Sequence, residues 1–124
     1  GERGDAAAAT KLFGNALILS LIGTMADMLA LARGSDMSGQ DAIDVARLFD
    51  LNAMVATRGG NMAAGRFVLG FELAMARKDL ALMLETAGSQ ALSVLPGIAS
   101  RMDALIAAGR GSEDVTILGD GAPR

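Results

Sequence analysis

The stretch from Asp5 to about Arg33 constrains the fold most, because it contains no proline and only two internal glycines. Proline and glycine are the residues that most often interrupt helices, so this stretch predicts one long α-helix. Asp5 suits the N-cap position before four alanines, and Gly34 suits the first position after the helix. At 1.5 Å per residue the helix is roughly 42 Å long, whereas a compact domain of this size has a radius of gyration of about 14 Å. The helix is therefore expected to be about as long as the molecule.

The apolar residues of this helix do not keep to one side. They run around the axis and include Leu17, Ile18, Leu19, Leu21 and Ile22. A helix that is apolar all round is buried on all sides. We therefore predict a central helix that is wrapped by the other helices and also packs against a second chain.

A membrane span is the alternative for such a helix. Its longest uncharged run, residues 12–26, has about 15 residues, fewer than the roughly 20 that cross a bilayer. The run is followed at once by Asp27. We therefore expect the helix to be buried in protein, and we expect no membrane partner.

Composition indicates the fold class and excludes several kinds of chemistry. The chain is 52% apolar but only 3% aromatic, and the strong helix formers alanine, leucine and methionine supply most of the apolar residues. We predict one all-α domain over residues 1–124, a helical bundle around the long central helix. The chain has no cysteine and no histidine. This excludes disulfides, thiolate or imidazole metal ligands, a cysteine nucleophile and a histidine base, so we expect no metal site.

The charge pattern limits the classes of binding partner that this chain is expected to have. Eleven basic and fourteen acidic residues give a net charge of −3, and neither sign forms a run. Proteins that bind nucleic acid usually carry a basic stripe with aromatic stacking platforms, so we expect no nucleic-acid partner. The absence of cysteine fits a reducing compartment, and we predict a cytoplasmic protein.

Shorter helices are predicted in the middle of the chain. Ser38 or Asp41 is expected to cap a helix that ends near Phe49, with an apolar stripe of Ala42, Val45, Ala46 and Phe49. A second short helix is predicted over residues 52–57 and a break over residues 58–61. A further turn at residues 62–64 is expected to end at Gly65.

Two longer helices are predicted in the part of the chain that follows Gly65. The first runs from Phe71 to about Ala87 and ends at Gly88. Its predicted apolar face consists of Phe71, Met75, Leu80, Leu82, Met83 and Leu84. The second spans about residues 95–108, with Pro96 in its first turn and Gly109 after its end. The acidic, glycine-rich tail from Gly111 is expected to be loosely ordered.

Lys11 and Asn15 are the first candidates for chemistry. They lie four residues apart and so share one face of the long helix, close to its N-terminus. Apolar neighbours would desolvate the ammonium group there, and a desolvated lysine is suited to general acid–base catalysis. An asparagine one turn away can hold a substrate carboxylate or hydroxyl. The alternative is a lysine that extends along the helix to reach water, beside an ordinary polar residue.

Two other charged stretches are candidates for binding. Lys78 lies in the middle of a predicted helix, where it can reach a phosphate or a substrate, but the pair Lys78-Asp79 is also typical of a solvated surface. The stretch Arg58-Gly59-Gly60-Asn61, with Arg66 after it, combines positive charge with a glycine-rich backbone that can meet an anion. The alternative for this stretch is a loop between helices.

Taken in order, these residues resemble a known family. Residues 4–15, GDAAAATKLFGN, resemble the start of the C-terminal helical domain of the β-hydroxyacid dehydrogenases, which include 3-hydroxyisobutyrate dehydrogenase and, more distantly, 6-phosphogluconate dehydrogenase. Phe71, followed seven residues later by Lys78-Asp79-Leu80, resembles a second motif of that family. Pro96 and the Gly109-to-Asp114 ending also fall in the expected order, so the resemblance covers nearly the whole chain.

The resemblance implies a two-domain enzyme. An N-terminal Rossmann domain, absent from residues 1–124, would bind NAD or NADP, and the helical domain would complete the active site and form a homodimer through the long first helix. The substrate would be a small β-hydroxyacid or its semialdehyde. Lys11 would be the acid/base that protonates the carbonyl oxygen as hydride arrives, and Asn15 would hold the substrate. Phe71 and Lys78 would lie beside the cofactor. The helical domain alone is expected to be inactive.

Two positions depart from the family pattern. Many members have asparagine where this chain has Gly14, and Gly4 lies one residue earlier than usual before the lysine. Both positions bear on the substrate more than on the reaction. Related imine reductases usually carry another residue at the position of Lys11, so the lysine favours carbonyl or alcohol chemistry. A non-catalytic helical dimerisation module remains the alternative function.

Overall fold

Helix α1, Glu2–Gly34, is the longest element of the computed structural model, which describes residues 2–121 and the side chains of residues 4–121. The helices that follow are α2 (Gly39–Asp44), α3 (Leu51–Met54), α4 (Gly60–Ala63), α5 (Leu73–Ala87) and α6 (Leu95–Ala107). Two 3₁₀ turns, Val45–Leu48 and Val115–Gly119, and one π turn, Val55–Gly59, complete the element order. The predicted all-α fold with a long N-terminal helix is confirmed.

The core lies between α5, α6 and the C-terminal 3₁₀ turn. Leu73 and Ile117 are completely buried there. The other buried members of this core are Ala76, Leu80, Ala99, Met102 and Leu105. Helix α5 ends before Gly88 (φ 58°), and α6 has Pro96 in its first turn and Gly109 (φ 83°) two residues after its end. These ends were predicted, because each depends on a glycine or proline beside it.

The predicted apolar face of α5 is largely wrong. Phe71 precedes the helix, and Met75, Leu82 and Met83 are between 38% and 62% exposed. The buried face consists of Leu73, Ala76, Leu80 and Ala87. Two alanines on this face allow α5 to pack closely against its neighbours, whereas the larger methionines lie outside.

Only the C-terminal part of α1 packs against the rest of the chain. Asp27, Ala30 and Ala32 are buried, whereas residues 10–22 are all exposed. The prediction that α1 is buried on all sides is therefore wrong for this chain. The reason is length: α1 has 33 residues, whereas α5 and α6 have 15 and 13, and at 1.5 Å per residue neither reaches much more than about 22 Å along it.

The two ends of α1 differ from the prediction. The helix begins at Glu2, so Asp5 lies inside it rather than at its N-cap. Gly34 is its last residue, and the left-handed backbone that follows belongs to Asp36 (φ 60°). A Cβ atom at Gly34 would overlap the carbonyl oxygen of Thr86. A glycine is needed there because α1 approaches the end of α5 closely.

The segment between α1 and α5 is more regular than predicted. Ser38 caps α2, its Oγ accepting a hydrogen bond from the Asp41 backbone N–H at 3.1 Å. Of the predicted stripe on this segment only Ala42 is buried. The predicted break at residues 58–61 is wrong, because Gly59 and Gly60 keep helical backbone angles (φ −63° and −62°) and join α3 to α4 through the π turn.

The C-terminal segment is ordered, contrary to prediction. Asp114 caps the 3₁₀ turn Val115–Gly119, and Ile117 within that turn is completely buried. Arg110 forms ion pairs with Glu113 at 2.8 Å and with Asp120 at 3.1 Å. The buried Ile117 side chain, together with the backbone hydrogen bonds that Leu73 and Ala74 donate to the Glu113 and Gly111 carbonyls, both at 2.8 Å, holds residues 110–120 against the body. Residues 122–124 lie outside the described part of the chain.

Candidate functional site

Lys11 and Asn15 lie on the exposed N-terminal part of α1. Both side chains are exposed, and neither makes a hydrogen bond or ion pair with another described residue. The apolar neighbours that were expected to desolvate Lys11 are themselves open to solvent, with Leu12 67% and Phe13 71% exposed. Within this chain alone, the ammonium group of Lys11 is therefore in contact with water.

Lys11 lies well beyond the part of α1 that docks. Gly23 is close to the start of α6, since a Cβ atom there would lie 2.8 Å from Cγ2 of Val94. Lys11 lies twelve residues earlier, about 18 Å along the helix axis. The helix therefore holds Lys11 and Asn15 away from the body, where another domain or another chain has access to them.

Phe71 and Lys78 belong to the body of the molecule. The backbone N–H of Phe71 donates to Oδ1 of Asp114 at 2.9 Å, and its carbonyl oxygen accepts from the Val115 N–H at 2.8 Å. The Phe71 side chain is 39% exposed. Lys78 lies on α5 with its side chain exposed and without a described hydrogen bond, and the neighbouring Arg77 pairs with Asp103 of α6 at 2.8 Å.

The four predicted site residues form two separate groups in this chain. Lys11 and Asn15 are on α1, and Phe71 and Lys78 are at α5. No hydrogen bond or ion pair connects the two groups within residues 4–121. Within the described residues, the four side chains therefore do not form one hydrogen-bonded site.

Asp27 was not predicted as an important residue, yet it is only 2% exposed. Its Oδ1 accepts a hydrogen bond from the Ser93 N–H at 2.6 Å, and its Oδ2 accepts from the N–H groups of Val94 and Leu95 at 2.9 and 2.8 Å. Burial works to raise the pKa of Asp27, but these three hydrogen bonds outweigh it and the pKa is lowered. Asp27 therefore stays ionised and caps α6.

Asp114 is the second buried carboxylate, with 4% exposure. It accepts hydrogen bonds from the backbone N–H groups of Gly70, Phe71 and Thr116 and from the Thr116 hydroxyl. Burial works to raise its pKa, and these hydrogen bonds bring the pKa far below its ordinary value. Asp114 thus connects the start of α5 to the C-terminal segment. The position of Asp27 as a lone aspartate in an apolar stretch was a sequence signal that could have indicated its structural role. No such signal marks Asp114.

An apolar groove runs along α1 beside α2 and α3. It encloses about 410 Å³, and its lining includes Leu21, Met25, Met28, Val45, Phe49 and Met54. By length and composition, Gly4–Gly34 also meets the requirement for a membrane-crossing helix, as do the core helices of some soluble proteins. No group of three acidic, histidine or cysteine side chains suited to a metal ion occurs in the described residues.

No protein-family model matches the sequence, and no curated protein matches it.

Proposed function

We propose that this chain is the helical, dimer-forming domain of an NAD(P)-dependent oxidoreductase acting on a small β-hydroxyacid or its semialdehyde, similar to the C-terminal domain of 6-phosphogluconate dehydrogenase. One observation carries the proposal. The helix with Lys11 and Asn15 extends beyond the body, apolar on its surface and uncovered. That arrangement suits a helix that packs between subunits and presents a polar pair to an adjoining domain.

The exposed surface of α1 supports the dimer. The apolar side chains between Leu12 and Ile22 are 40–71% exposed. They are Leu12, Phe13, Leu17, Ile18, Leu19, Leu21 and Ile22. Soluble monomers rarely expose an apolar patch of this extent, because removing it from water gains roughly 25 cal/mol per Å². A second copy of the same helix is the partner that we propose, with the groove beside α2 and α3 as part of the same surface.

The proposed chemistry places a different task on each residue. Lys11 would give its Nζ proton to the carbonyl oxygen of the substrate while a hydride reaches the carbonyl carbon, and Asn15 would hold the substrate by hydrogen bonds. The reduced cofactor, NADH or NADPH, would supply the hydride and be left as NAD or NADP, bound mainly by a Rossmann domain that residues 1–124 do not contain. Phe71 and Lys78 would contact the cofactor from the helical side. Covering Lys11 with that domain would exclude water from its ammonium group.

The first test is the intact mass of the native gene product together with a turnover assay. A mass near 30 kDa leaves room for roughly 150 residues before Gly1, enough for a Rossmann domain. We expect such a protein to oxidise a small β-hydroxyacid with NAD or NADP. A native product of the present length without any cofactor-dependent turnover would contradict the proposed enzyme.

A non-catalytic dimerisation module is the second candidate. The observation that favours it is the separation of the candidate residues, since Lys11 has no hydrogen-bond or ion-pair partner among the side chains of residues 4–121. Such a module would form the same dimer, and substitution of Lys11 would change nothing but local stability. Solubility only in detergent would contradict both candidates and favour a membrane helix.

A further inference from the structure

A small polar cavity lies where the π turn and α4 meet the C-terminal segment. It encloses about 140 Å³, a few times the roughly 30 Å³ that one water molecule occupies in the liquid. Five polar side chains line it, namely Arg58, Asn61, Arg66, Asp114 and Thr116. We propose that this cavity binds the carboxylate or phosphate group of a small molecule through Arg58 and Arg66.

The two arginines that line the cavity, Arg58 and Arg66, have no carboxylate partner among the described residues. Arg66 is held by Asn61, because its backbone N–H donates to the Asn61 carbonyl at 2.8 Å and its Nη2 donates to Asn61 Oδ1 at 3.3 Å. Arg58 makes no hydrogen bond or ion pair with a described residue. Neither arginine pairs with a carboxylate in residues 4–121, whereas Arg77 and Arg110 both do. Since a guanidinium is always charged, two positive charges face this space.

The one carboxylate that lines the cavity is already satisfied. Oδ1 of Asp114 accepts from the N–H groups of Gly70 and Phe71, both at 2.9 Å. Oδ2 accepts from the Thr116 N–H at 2.9 Å and from the Thr116 hydroxyl. Four hydrogen bonds fill the acceptor sites of a carboxylate. Asp114 therefore has no free position for either arginine, and the cavity keeps an excess of one positive charge.

The polar groups that remain free are mainly donors. They are the N–H groups of Arg58, the remaining N–H groups of Arg66 and the side-chain amide N–H₂ of Asn61, whose oxygen is occupied. A space that offers several donors and positive charge selects a negatively charged group that only accepts hydrogen bonds. Carboxylates and phosphates have this chemistry, and arginine binds both in a forked geometry. The inference does not rest on the proposed enzyme function.

The site is tested on the full chain with inorganic phosphate and, separately, with acetate, each at constant ionic strength. Backbone amide resonances of residues 66–71 and 114–116 are followed by NMR. We expect a saturable change at these residues for at least one of the two anions. Arg58→Gln and Arg66→Gln should each weaken binding about tenfold, the effect of losing a charge-assisted hydrogen bond. Arg66→Lys should also weaken it, because an ammonium cannot replace the fork.

Arg101→Gln is the matched control, because Arg101 lies exposed on α6 and removing it changes the net charge equally. It should leave binding unchanged. Saturation by phosphate alone identifies a phosphate site, and saturation by acetate alone identifies a carboxylate site. Changes that never saturate with either anion, or an equal loss in Arg101→Gln, would overturn the proposal. Arg58 has no described hydrogen bond or ion pair, so its variant is expected to fold and keeps the test valid if Arg66→Gln does not.

Discussion

Oδ2 of Asp27 accepts a hydrogen bond from the backbone N–H of Leu95 at 2.8 Å, although 68 residues separate them in the chain. Leu95 is the first residue of α6, and the helix has no side-chain cap of its own at Val94. The first N–H groups of a helix lack partners within it. A side chain of α1 thus supplies the N-terminal cap of α6 and fixes the relative position of the two helices.

Replacing Asp27 tests this capping role. Asp27→Ala leaves three partly buried N–H groups without their acceptor, and we expect a loss of about 3 kcal/mol in the free energy of unfolding. Asp79→Ala, an exposed aspartate without a described partner, should change it by less than about 0.5 kcal/mol. Urea denaturation followed by circular dichroism measures both. Equal effects of the two substitutions would show that Asp27 is not a structural cap.

Acid should destabilise the fold through Asp27 and Asp114. The pKa of each carboxyl is lowered in the folded chain, so the unfolded chain binds protons first as the pH falls below about 4. The stabilisation is complete above that pH and is lost progressively below it. We expect the urea midpoint to be nearly constant from pH 7 to 5 and to fall steeply from pH 4 to 3. Asp27→Asn should make this fall shallower, and an unchanged slope would exclude Asp27 as a cause.

Alanine substitutions at Gly34 and at Gly14 are expected to change the stability of the fold in opposite directions. A Cβ atom at Gly34 would overlap the Thr86 carbonyl, whereas one at Gly14 has no neighbour within 4 Å. Gly34→Ala should therefore separate α1 from α5 and lower the free energy of unfolding by about 2 kcal/mol. Gly14→Ala should raise it by up to about 1 kcal/mol through helix propensity. Thermal denaturation measures both, and a stabilising Gly34→Ala would contradict the close approach of the helices.

The proposed dimer is tested at Ile18. Ile18 is 56% exposed on α1 and Leu82 is 62% exposed on α5. A lysine at position 18 places a charge within the proposed interface, and we expect Ile18→Lys to convert the dimer to a monomer at micromolar concentration. Leu82→Lys adds the same charge outside that interface and should leave the dimer intact. Sedimentation velocity measures the mass of each, and a dimer in both variants would place the interface elsewhere.

The catalytic role of Lys11 is tested in the native gene product. Lys11→Ala should lower kcat by a factor of about 10² to 10⁴, as expected when a general acid is lost. Thr10→Ala removes a neighbouring side chain whose hydroxyl donates to the Ala6 carbonyl at 2.9 Å. It should retain turnover. Circular dichroism of both variants establishes that they are folded, and undiminished turnover in Lys11→Ala would remove the lysine from the mechanism.

Local chemistry explains which parts of the fold were predictable. The ends of α5 and α6 follow from Gly88, Pro96 and Gly109, and the start of α2 follows from Ser38, because each residue acts on its own neighbours. Gly34 was predicted to end α1, whereas the structure needs it for the close approach to Thr86. Thr86 is 52 positions away in the chain, so no local sequence pattern indicates this contact. The glycines at 59 and 60 were expected to break a helix that in fact continues through them.

The candidate site was predictable to a smaller extent. Arg58, Asn61 and Arg66 were recognised as able to bind an anion, but the sequence favoured an interhelix loop as the interpretation of this stretch. The satisfied carboxylate of Asp114, which leaves both arginines unpaired, appears only when the C-terminal segment folds against the start of α5. Lys11 and Asn15 share a helix face as predicted, but no sequence pattern indicates how far that face extends from the body.

The long-range cap on α6 has a consequence for the order of folding. Residues 4–34 leave the ribosome before residues 93–95 are synthesised. Asp27 therefore stays solvated until the surface against which α1 docks has formed. Helices α5 and α6 are adjacent in sequence and can pair early, since contacts between nearby segments cost less chain entropy to form. Docking of α1 is therefore expected late in folding. Until then its apolar side chains are open to other nascent chains, and a chaperone that binds such segments would favour the yield of folded protein.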